Sequence, residues 1–268
     1  MNIIPDLTVC LAHNEPGEAM VNLLESLYLH ADPVSFEIIV VDNLDDADFT
    51  ARLEHEFPEV KIFENKGGEP IGKARNHAFR LARGRYISFW DEPLRIQAGC
   101  LQTLLRFLDD TPDIGIAAPR IITDSGTPLP SSRRFPTLAS SLLQHTALGQ
   151  LWANTAPLKR HLMTEWDHLL PFACDWLVGS CLIIRREVME EIGLFDEEFI
   201  SLYADADYCL RARRSGWHIH YMAAAVIKDQ RSQIYGPLHR QAAAHPHALA
   251  DCTRFLLKKW LAPTIIPA

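Results

Sequence analysis

The segment Glu37-Ile38-Ile39-Val40-Val41-Asp42-Asn43 decides the fold class, because a short apolar run ends directly in an acid and an amide. We interpret residues 37–41 as a buried β-strand, since short runs rich in β-branched residues are typical of parallel sheets. Thr8–Ala12 has the same character, and residues 20–28 between the two runs carry apolar side chains at helical spacing. This strand–helix–strand order predicts a parallel sheet with helices on its faces.

The same alternation continues along the chain to about residue 120. It predicts a mostly parallel central sheet flanked by helices, which is an α/β fold. The further elements predicted in this half are strands at Val60–Phe63, Tyr86–Trp90 and Ile114–Ala118, and helices over Pro70–Arg83 and around Leu101–Leu108.

The second half of the chain has a different rhythm. A proline-rich loop, Pro128–Pro136, precedes a helical excursion over Leu138–His161 that shows no strand pattern. The elements predicted after it are a strand in Asp175–Arg185, a helix through Val188 and Ile192, a helix near Asp207–Ser215, strands at Trp217–Tyr221 and Ala225–Lys228, and a final helix from about His245 to Trp260. Because no linker divides the chain, we expect a single domain over residues 1–268.

Composition narrows the class of protein. The 268 residues are 48% hydrophobic and 22% charged, which is typical of a globular domain. A net charge of −8 disfavours a nucleic-acid partner, which would require a basic face. No apolar run reaches the roughly 18 residues of a membrane span, and Met1–Asp6 lacks a signal-peptide pattern, so we expect a cytoplasmic protein. Six cysteines without a C-x-x-C pair predict reduced thiols in the core.

Polar side chains follow three of the predicted strands at the point where each strand ends. These are His13-Asn14-Glu15, Asp42-Asn43 and Asp91-Glu92. Ligands of open α/β sheets bind at the carboxyl ends of the strands, so these residues predict a crevice for ribose hydroxyls. Asp91 would bind a divalent cation, which in turn would bind the phosphates of the ligand. Each acid taken alone is also compatible with a helix cap or a solvated turn.

A glycine-rich segment, Gly67-Gly68-Glu69-Pro70-Ile71-Gly72-Lys73-Ala74-Arg75-Asn76, leads into the predicted third helix. Backbone amides at a helix N-terminus bind phosphate, and Lys73 and Arg75 add positive charge. The segment is neither a Walker loop nor G-x-G-x-x-G, so an ordinary turn is the alternative interpretation.

Two acids lie at the start of a helix in the second half, in Ala204-Asp205-Ala206-Asp207-Tyr208. One interpretation is that they interact favourably with the helix macrodipole. The other is that one of them is a general base facing the crevice. Their spacing does not decide between these two hypotheses.

Six segments of the chain together resemble family 2 glycosyltransferases of the GT-A fold. The similarity covers about residues 7 to 230 and is greatest to bacterial rhamnosyltransferase-type members. The segments are Leu7-Thr8-Val9-Cys10-Leu11-Ala12-His13-Asn14-Glu15, residues 37–43, Asn65 with Ala74-Arg75-Asn76, Ala82-Arg83-Gly84-Arg85-Tyr86, Ser132-Arg133-Arg134-Phe135-Pro136-Thr137, and Val178-Gly179-Ser180 with Arg185-Arg186 and Ile192-Gly193-Leu194-Phe195-Asp196-Glu197.

The resemblance implies a fold and an activity. The fold would be GT-A, with a Rossmann-like, mostly parallel central sheet, a helical excursion and a C-terminal helix. Residues 1–120 would form the nucleotide-binding half and residues 121–268 the acceptor half. The activity would be inverting transfer of a sugar from a nucleoside diphosphate-sugar donor to an acceptor hydroxyl, in synthesis of a surface polysaccharide or glycoconjugate.

The resemblance also implies site residues. Asp205 would be the general base, with Asp207 as the alternative, and Mg²⁺ or Mn²⁺ would be held by Asp91 and Glu92. The nucleotide-sugar-binding residues implied are Ala12, His13, Asn14, Asp42, Lys73, Arg75, Asp91 and Lys228.

Three departures from the family pattern bear on the metal and on activity. The D-x-D segment reads Asp91-Glu92-Pro93, Ala204 replaces the glutamate of the Glu-Asp pair, and Lys228 stands where several members have a histidine ligand. One hypothesis is an active enzyme in which Lys228 supplies the positive charge in place of the metal. The alternative is a degenerate GT-A module that binds a nucleotide or a protein partner and transfers nothing.

The partners expected are therefore a nucleoside diphosphate-sugar and a saccharide or lipid-linked saccharide acceptor, with no nucleic acid. The basic C-terminal helix carries Arg254, Lys258 and Lys259 beside Phe255 and Trp260. A packed amphipathic helix is one interpretation of this pattern. Contact with the inner face of the membrane is the other.

Overall fold

A computed structural model describes residues 4–13, 17–44, 46–65, 71–90, 94–145, 155–200, 202–229 and 247–261. Within these ranges the chain forms one ten-stranded sheet, a separate two-stranded sheet, and helices packed against the larger sheet. The strands are β1 (Leu7–His13), β2 (Phe36–Asp42), β3 (Lys61–Glu64), β4 (Tyr86–Trp90), β5 (Leu94–Ile96), β6 (Ile114–Ile122), β7 (Pro128–Leu129), β8 (Ser132–Arg133), β9 (Phe172–Ala173), β10 (Trp176–Leu177), β11 (Leu182–Arg185) and β12 (His218–Asp229).

The helices confirm most of the predicted amphipathic stretches. They are α1 (Gly17–His30), α2 (Ala47–Glu56), α3 (Ile71–Leu81), α4 (Cys100–Asp110), α5 (Leu138–His145), α6 (Ala156–Leu162), α7 (Arg186–Ile192), α8 (Ala204–Arg214) and α9 (Ala248–Leu261).

The larger sheet is parallel through its first half and mixed beyond it. Its main path runs β3-β2-β1-β4-β11-β6-β12-β5. The pairs among β1 to β4 are parallel, as is the pair of β6 with β12. Strand β11 runs antiparallel to both of its neighbours. The mostly parallel sheet is therefore confirmed, with β11 as an antiparallel insertion at its centre.

The sheet buries both of its faces, because alternate residues of each strand point to opposite sides. On β2, Ile38 and Val40 belong to a core shared with α1, α2 and α4. Ile39 and Val41 belong to a second core shared with α3, α7, α8 and α9. This two-faced burial explains why the strand is apolar without alternation.

Strand β12 corrects one prediction. The sequence predicts two strands there, whereas the structure has a single strand from His218 to Asp229. Met222 pairs with Pro119 of β6, and the next pair is Val226 with Arg120. Residues 223–225 therefore have no partner on β6 and form a bulge between two consecutive residues of that strand. Pro119 has no N–H to donate, which is a physical reason for the ladder to break at this point.

The proline-rich loop is a second correction. It contains two short strands, β7 and β8, and β8 pairs with β10 as an isolated two-stranded ribbon. The ribbon registers Arg133 with Trp176 and Ser132 with Leu177. Strands of two or three residues are too short to show a hydrophobic period, which is why β7, β8, β9 and the three-residue β5 were missed.

All six cysteines are buried and none forms a disulfide, which confirms the predicted core thiols. No helix within the described part of the chain has the length and apolar character required to cross a bilayer.

Glu37 links three elements near the amino ends of the first strands. Its carboxylate accepts hydrogen bonds from Thr8 Oγ1 (2.8 Å), Lys61 Nζ (2.8 Å) and the backbone N–H of Arg83 (2.6 Å). Burial acts to raise the pKa of this carboxyl, but the donors outweigh it and lower the pKa to about 2.

We expect Glu37→Gln to reduce the free energy of unfolding by about 1–2 kcal/mol at pH 7, because solvent partly screens the exposed partners Lys61 and Arg83. The folded-state pKa lies below the unfolded one, so this stabilisation is present at neutral pH and is lost as the pH falls toward about 2. Denaturant unfolding at pH 7 and pH 3 measures it, with the exposed Glu54→Gln as control. A difference from wild type that is the same at both pH values would contradict this account.

Candidate functional site

Asp205 lies in the first turn of α8, where the chain turns sharply into the helix. Tyr203, the residue before the helix, is buried with a left-handed φ of 67°. The half-buried Asp205 carboxylate accepts hydrogen bonds from the Gly179 N–H (2.6 Å) and the Ala206 N–H (3.0 Å). The side chain is thus fixed against the loop after β10, and its carboxylate is set at a helix N-terminus.

Arg75 reaches the same loop from α3. Its Nη2 donates to the carbonyl oxygen of Gly179 (3.2 Å), and its guanidinium lies over the rings of Phe89 (5.8 Å) and Phe195 (5.4 Å). A Cβ at position 179 would lie 2.5 Å from Arg75 Nη2, so a larger residue there would displace the guanidinium from this position. Gly179 is therefore bonded to Asp205 through its N–H and to Arg75 through its carbonyl.

A second arginine approaches Asp205 from the ribbon. Arg133 ends β8, and its Nη1 donates to the carbonyl oxygens of Pro130 (2.5 Å) and Ser132 (3.0 Å). Burial lowers the pKa of Arg133 to about 10, while the charge of Asp205 acts in the opposite direction. The guanidinium keeps its positive charge at neutral pH.

The electrostatics of Asp205 suit a proton acceptor. Burial raises the pKa of its carboxyl, and the positive charge of Arg75 partly offsets this effect. A carboxyl whose pKa is raised binds a proton more strongly than an ordinary aspartate does, once it is ionised. This arrangement can remove a proton from a hydroxyl group.

The structure places Asp207 differently. Its carboxylate is fully buried and forms ion pairs with Arg211 Nε (2.9 Å) on the same helix and Lys258 Nζ (2.6 Å) on α9. Residues two apart on a helix point to nearly opposite sides, so Asp207 faces α9 when Asp205 faces Gly179. Asp207 therefore joins α8 to the C-terminal helix.

The carboxyl ends of β1 and β2 lie side by side, as the sequence predicts. Ala12 is registered with Val41, and His13 with Asp42. Asp42 is buried and accepts hydrogen bonds from the N–H groups of Leu44 (3.0 Å) and Asp46 (3.3 Å). The position of the His13 side chain is not described, and Asn14 lies outside the described residues.

The remaining predicted cations lie on two elements. Lys73 is half-buried in the first turn of α3, two residues before Arg75. Lys228 is half-buried near the end of β12, registered with Arg95 of β5 and Ile122 of β6. Asp229 follows it and pairs with Leu94, the first described residue after the Asp91–Pro93 segment. The end of β12 therefore lies beside Leu94, the residue that follows the predicted metal-binding segment in the chain.

Asp91 and Glu92, the predicted metal ligands, lie outside the described residues. Within the part that the structure describes, no three His, Cys, Asp or Glu side chains form a group that could hold a metal ion. The described donor set alone therefore does not make a metal site, and we derive no step through a metal.

Asn76 has a role that the sequence pattern did not reveal. Its Nδ2 donates to the Phe195 carbonyl and to Glu197 Oε1, and its Oδ1 accepts from the Phe195 N–H, all at 2.9 Å. Asn76 thereby fixes the segment that precedes α8. The adjacent Arg75 and Asn76 connect α3 to two separate parts of the second half. The sequence signal that could have revealed the role of Asn76 was its place beside Arg75 in the Ala74-Arg75-Asn76 motif.

The chain matches a known protein family and is similar in sequence to named bacterial proteins. The model of the family described as "Glycosyl transferase family 2" matches residues 9–193, more than half of the chain. An N-acetylglucosaminyl-diphospho-decaprenol L-rhamnosyltransferase of Mycobacterium tuberculosis is 25% identical over 253 residues, which is 89% of this chain and 81% of that protein. A dTDP-rhamnosyl transferase of Shigella flexneri is 24% identical over 216 residues, 75% of this chain and 64% of that protein.

Solved structures support the fold. GalNAc-T7 with UDP, GalNAc and Mn²⁺ superimposes with a TM-score of 0.70 at 14% identity, covering 96% of this chain and 49% of that one. TarS residues 1–349 of S. aureus, in complex with UDP-GlcNAc, gives 0.62 at 17% identity, covering 94% and 65%. This chain thus spans about half to two thirds of these solved chains. The likeness confirms the predicted GT-A fold.

Proposed function

This chain belongs to glycosyl transferase family 2, and on that premise we propose that it moves a sugar, with inversion, from a nucleoside diphosphate-sugar to an acceptor hydroxyl. The observation that carries the proposal is the setting of Asp205. Its carboxylate is bonded to the Gly179 N–H, its pKa is raised by burial, and Arg75 and Arg133 supply positive charge around it.

In the proposed reaction Asp205 takes the proton of the acceptor hydroxyl. The hydroxyl oxygen forms a bond to the anomeric carbon as the bond from that carbon to the diphosphate breaks on the opposite face. The electron pair of the broken bond leaves with the nucleoside diphosphate, whose negative charge the surrounding cations stabilise. General-base catalysis of this kind contributes about 10²–10⁴-fold to a rate.

We propose that the donor occupies the crevice at the carboxyl ends of the first strands. The paired ends of β1 and β2, with Ala12 and Asp42, support this placement. His13, Asn14, Lys73 and Asp91 remain proposed donor contacts, and Arg75 connects this crevice to Asp205. One structural neighbour was solved with UDP-GlcNAc, and one relative is a dTDP-rhamnosyl transferase. Donors based on UDP and on dTDP are therefore both candidates.

We propose a saccharide or lipid-linked saccharide as the acceptor, in polysaccharide or glycoconjugate synthesis. The name of the Mycobacterium tuberculosis relative describes a lipid-linked sugar diphosphate as its acceptor, which supports this class. Association with the cytoplasmic face of a membrane is part of the same proposal.

The metal is the point at which two versions of the proposal differ. GalNAc-T7 was solved with Mn²⁺, and a divalent cation here would be held by Asp91 and Glu92 and would neutralise the donor diphosphate. In the other version Lys228, near the end of β12, supplies the charge.

The test is release of nucleoside diphosphate from a panel of nucleotide sugars, with Mn²⁺, Mg²⁺ or excess EDTA, and with and without a lipid-linked saccharide acceptor. We expect release from at least one donor. Release that survives EDTA supports the Lys228 version, and release only with added metal supports the Asp91 and Glu92 version. No release from any donor with acceptor present, alongside measurable nucleotide binding, would contradict the proposal and favour a non-catalytic module.

Lys228→Ala tests the cation directly. We expect it to weaken nucleoside diphosphate binding in EDTA by about 10- to 100-fold, because a charge-assisted hydrogen bond contributes roughly 1.5–3 kcal/mol. Isothermal titration measures the change. Arg95→Ala is the matched control, since Arg95 is the exposed cross-strand neighbour of Lys228. Equal affinities in wild type and Lys228→Ala would remove Lys228 from the donor site.

A further inference from the structure

A cavity of about 760 Å³ lies between α6 and the ribbon of β8 and β10, and no residue assigned above to donor binding or proton transfer lines it. The lining residues are Arg134, Ala156, Lys159, Arg160, Met163, Glu165, Trp166 and Asp175. The volume is within the range of small-molecule sites. Three cations and two carboxylates around one large aromatic residue form an uncommonly polar lining.

The charged side chains that line this cavity differ in whether they form ion pairs. The Asp175 carboxylate accepts from the Phe135 N–H (2.9 Å) and forms ion pairs with Arg134 (3.4 Å) and Arg213. By contrast, Lys159 and Arg160 have no ion pair with any described residue. Glu165, the other carboxylate of the lining, likewise has no ion pair with a described residue, so the cavity offers an anion two free cations against one free carboxylate.

Trp166 provides the apolar surface of the cavity. Its side chain packs against Phe172 with ring centroids 4.7 Å apart, yet Trp166 remains 45% exposed. A fixed indole with one open side is a platform for the apolar face of a sugar ring, because such a residue combines a large apolar area with few rotatable bonds.

The wall of the cavity is rigid at Arg134. The Arg134 carbonyl accepts hydrogen bonds from Trp176 Nε1 (3.2 Å) and His161 Nδ1 (2.6 Å), and the Arg134 N–H donates to the His161 carbonyl (2.9 Å). These bonds fix α6 to the ribbon, so the cavity is held open by a hydrogen-bonded frame.

The cavity lies next to the part of the ribbon that approaches Asp205. The charge of Asp205 acts on Arg133, and the following residue, Arg134, lines the cavity. From Asp175 in the cavity wall to Gly179 at Asp205 is four residues, at most about 14 Å of extended chain. One or two sugar rings and their diphosphate can cover that distance.

We propose that this cavity binds the phosphate-bearing part of the acceptor, with Lys159 and Arg160 on the phosphate and Trp166 against the adjoining sugar ring. The inference rests on the proposed function, because it takes the acceptor hydroxyl to lie at Asp205. It specifies the acceptor class as a saccharide phosphate or diphosphate. Charge-assisted bonds to phosphate and stacking on the indole would give affinity for both parts together.

The test is isothermal titration of N-acetylglucosamine 1-phosphate into protein saturated with UDP and dTDP, so that the donor site is filled. Inorganic phosphate is the second probe. We expect Arg160→Glu to weaken binding of both probes by at least about 10-fold, because it reverses one of the two available charges. We expect Trp166→Ala to weaken binding of the sugar phosphate about 10-fold and to leave inorganic phosphate unchanged.

Arg106→Glu is the matched control, since it reverses an exposed helical arginine on α4. No binding by wild type in the millimolar range, or equal affinities in wild type and Trp166→Ala, would overturn the proposal. Release of nucleoside diphosphate by wild-type protein with a lipid-linked acceptor present tests the proposed function, whichever surface binds that acceptor. Failure there contradicts the function, whereas failure of the titration contradicts only the cavity assignment.

Discussion

Asp205→Asn is expected to lower the turnover of glycosyl transfer by about 10²–10⁴-fold, the range that general-base catalysis contributes. The amide keeps an oxygen that can accept from the Gly179 N–H, so the loop and Arg75 should stay in place. We therefore expect the affinity for the nucleoside diphosphate to change little. Steady-state turnover and isothermal titration on the same preparation measure the two quantities.

The stability of Asp205→Asn separates catalysis from folding. Burial raises the pKa of Asp205 above its value in the unfolded chain. The protonated carboxyl therefore stabilises the folded state at low pH, and this stabilisation is lost as the pH rises through the folded-state pKa. Above that pH the ionised carboxylate lowers the free energy of unfolding. A neutral amide avoids that cost. At pH 7 we expect the variant to melt at the same temperature as wild type or above it.

Unchanged turnover in Asp205→Asn would remove Asp205 from the mechanism. A large fall in melting temperature together with lost turnover would contradict the account too, because it would assign to Asp205 the structural role that we give to Asp207.

Asp207→Asn is expected to have the largest effect on stability, a loss of about 2–4 kcal/mol in the free energy of unfolding. Removing one partner of a buried ion pair leaves its partners uncompensated. Here Lys258 and Arg211 would lose their shared carboxylate, and the attachment of α9 to α8 would weaken. Both cations are partly exposed, so we expect a smaller loss of stability than for an ion pair that is buried on both sides. Denaturant unfolding measures it.

Asp110→Asn, an exposed acid at the end of α4, is the matched control and should change stability little. We expect the Asp207→Asn protein that remains folded to turn over at a rate close to wild type. Wild-type stability combined with lost turnover would identify Asp207 as the base instead.

The two acids of α8 show where sequence reasoning stopped. Both lie in the first helical turn, and their spacing is compatible with either one as the base. The distinction arises from packing, because α9 supplies Lys258 to Asp207, while the loop after β10 supplies the Gly179 N–H to Asp205. Those partners lie 51 and 26 positions away along the chain, beyond the reach of a local pattern.

The first half of the chain, to about residue 120, was largely predictable, because its elements are local and periodic. Strands such as β2 are apolar along their whole length since both faces of the sheet are covered. The carboxyl ends of parallel strands necessarily meet, which explains the adjacent Ala12 and Asp42. By contrast, the bond from Arg75 to Gly179 joins positions 104 residues apart. Only the resemblance to a family put these two residues in one set of motifs.

The antiparallel direction of β11 and the pairing of β8 with β10 were not predictable for a related reason. Strand direction depends on the route of the connecting segment, and ribbon strands of two residues show no period. The cavity beside the ribbon followed from neither pattern nor resemblance.

The central claim is that the Asp205 carboxylate accepts the acceptor proton, and the pH dependence of kcat/KM for transfer tests it most directly. Because activity requires the ionised form and burial raises the pKa of Asp205, wild-type kcat/KM should rise with pH along an acid limb above the ordinary aspartate pKa of about 4. The residual activity of Asp205→Asn should lack that limb. The same limb in wild type and in Asp205→Asn would show that another group takes the proton.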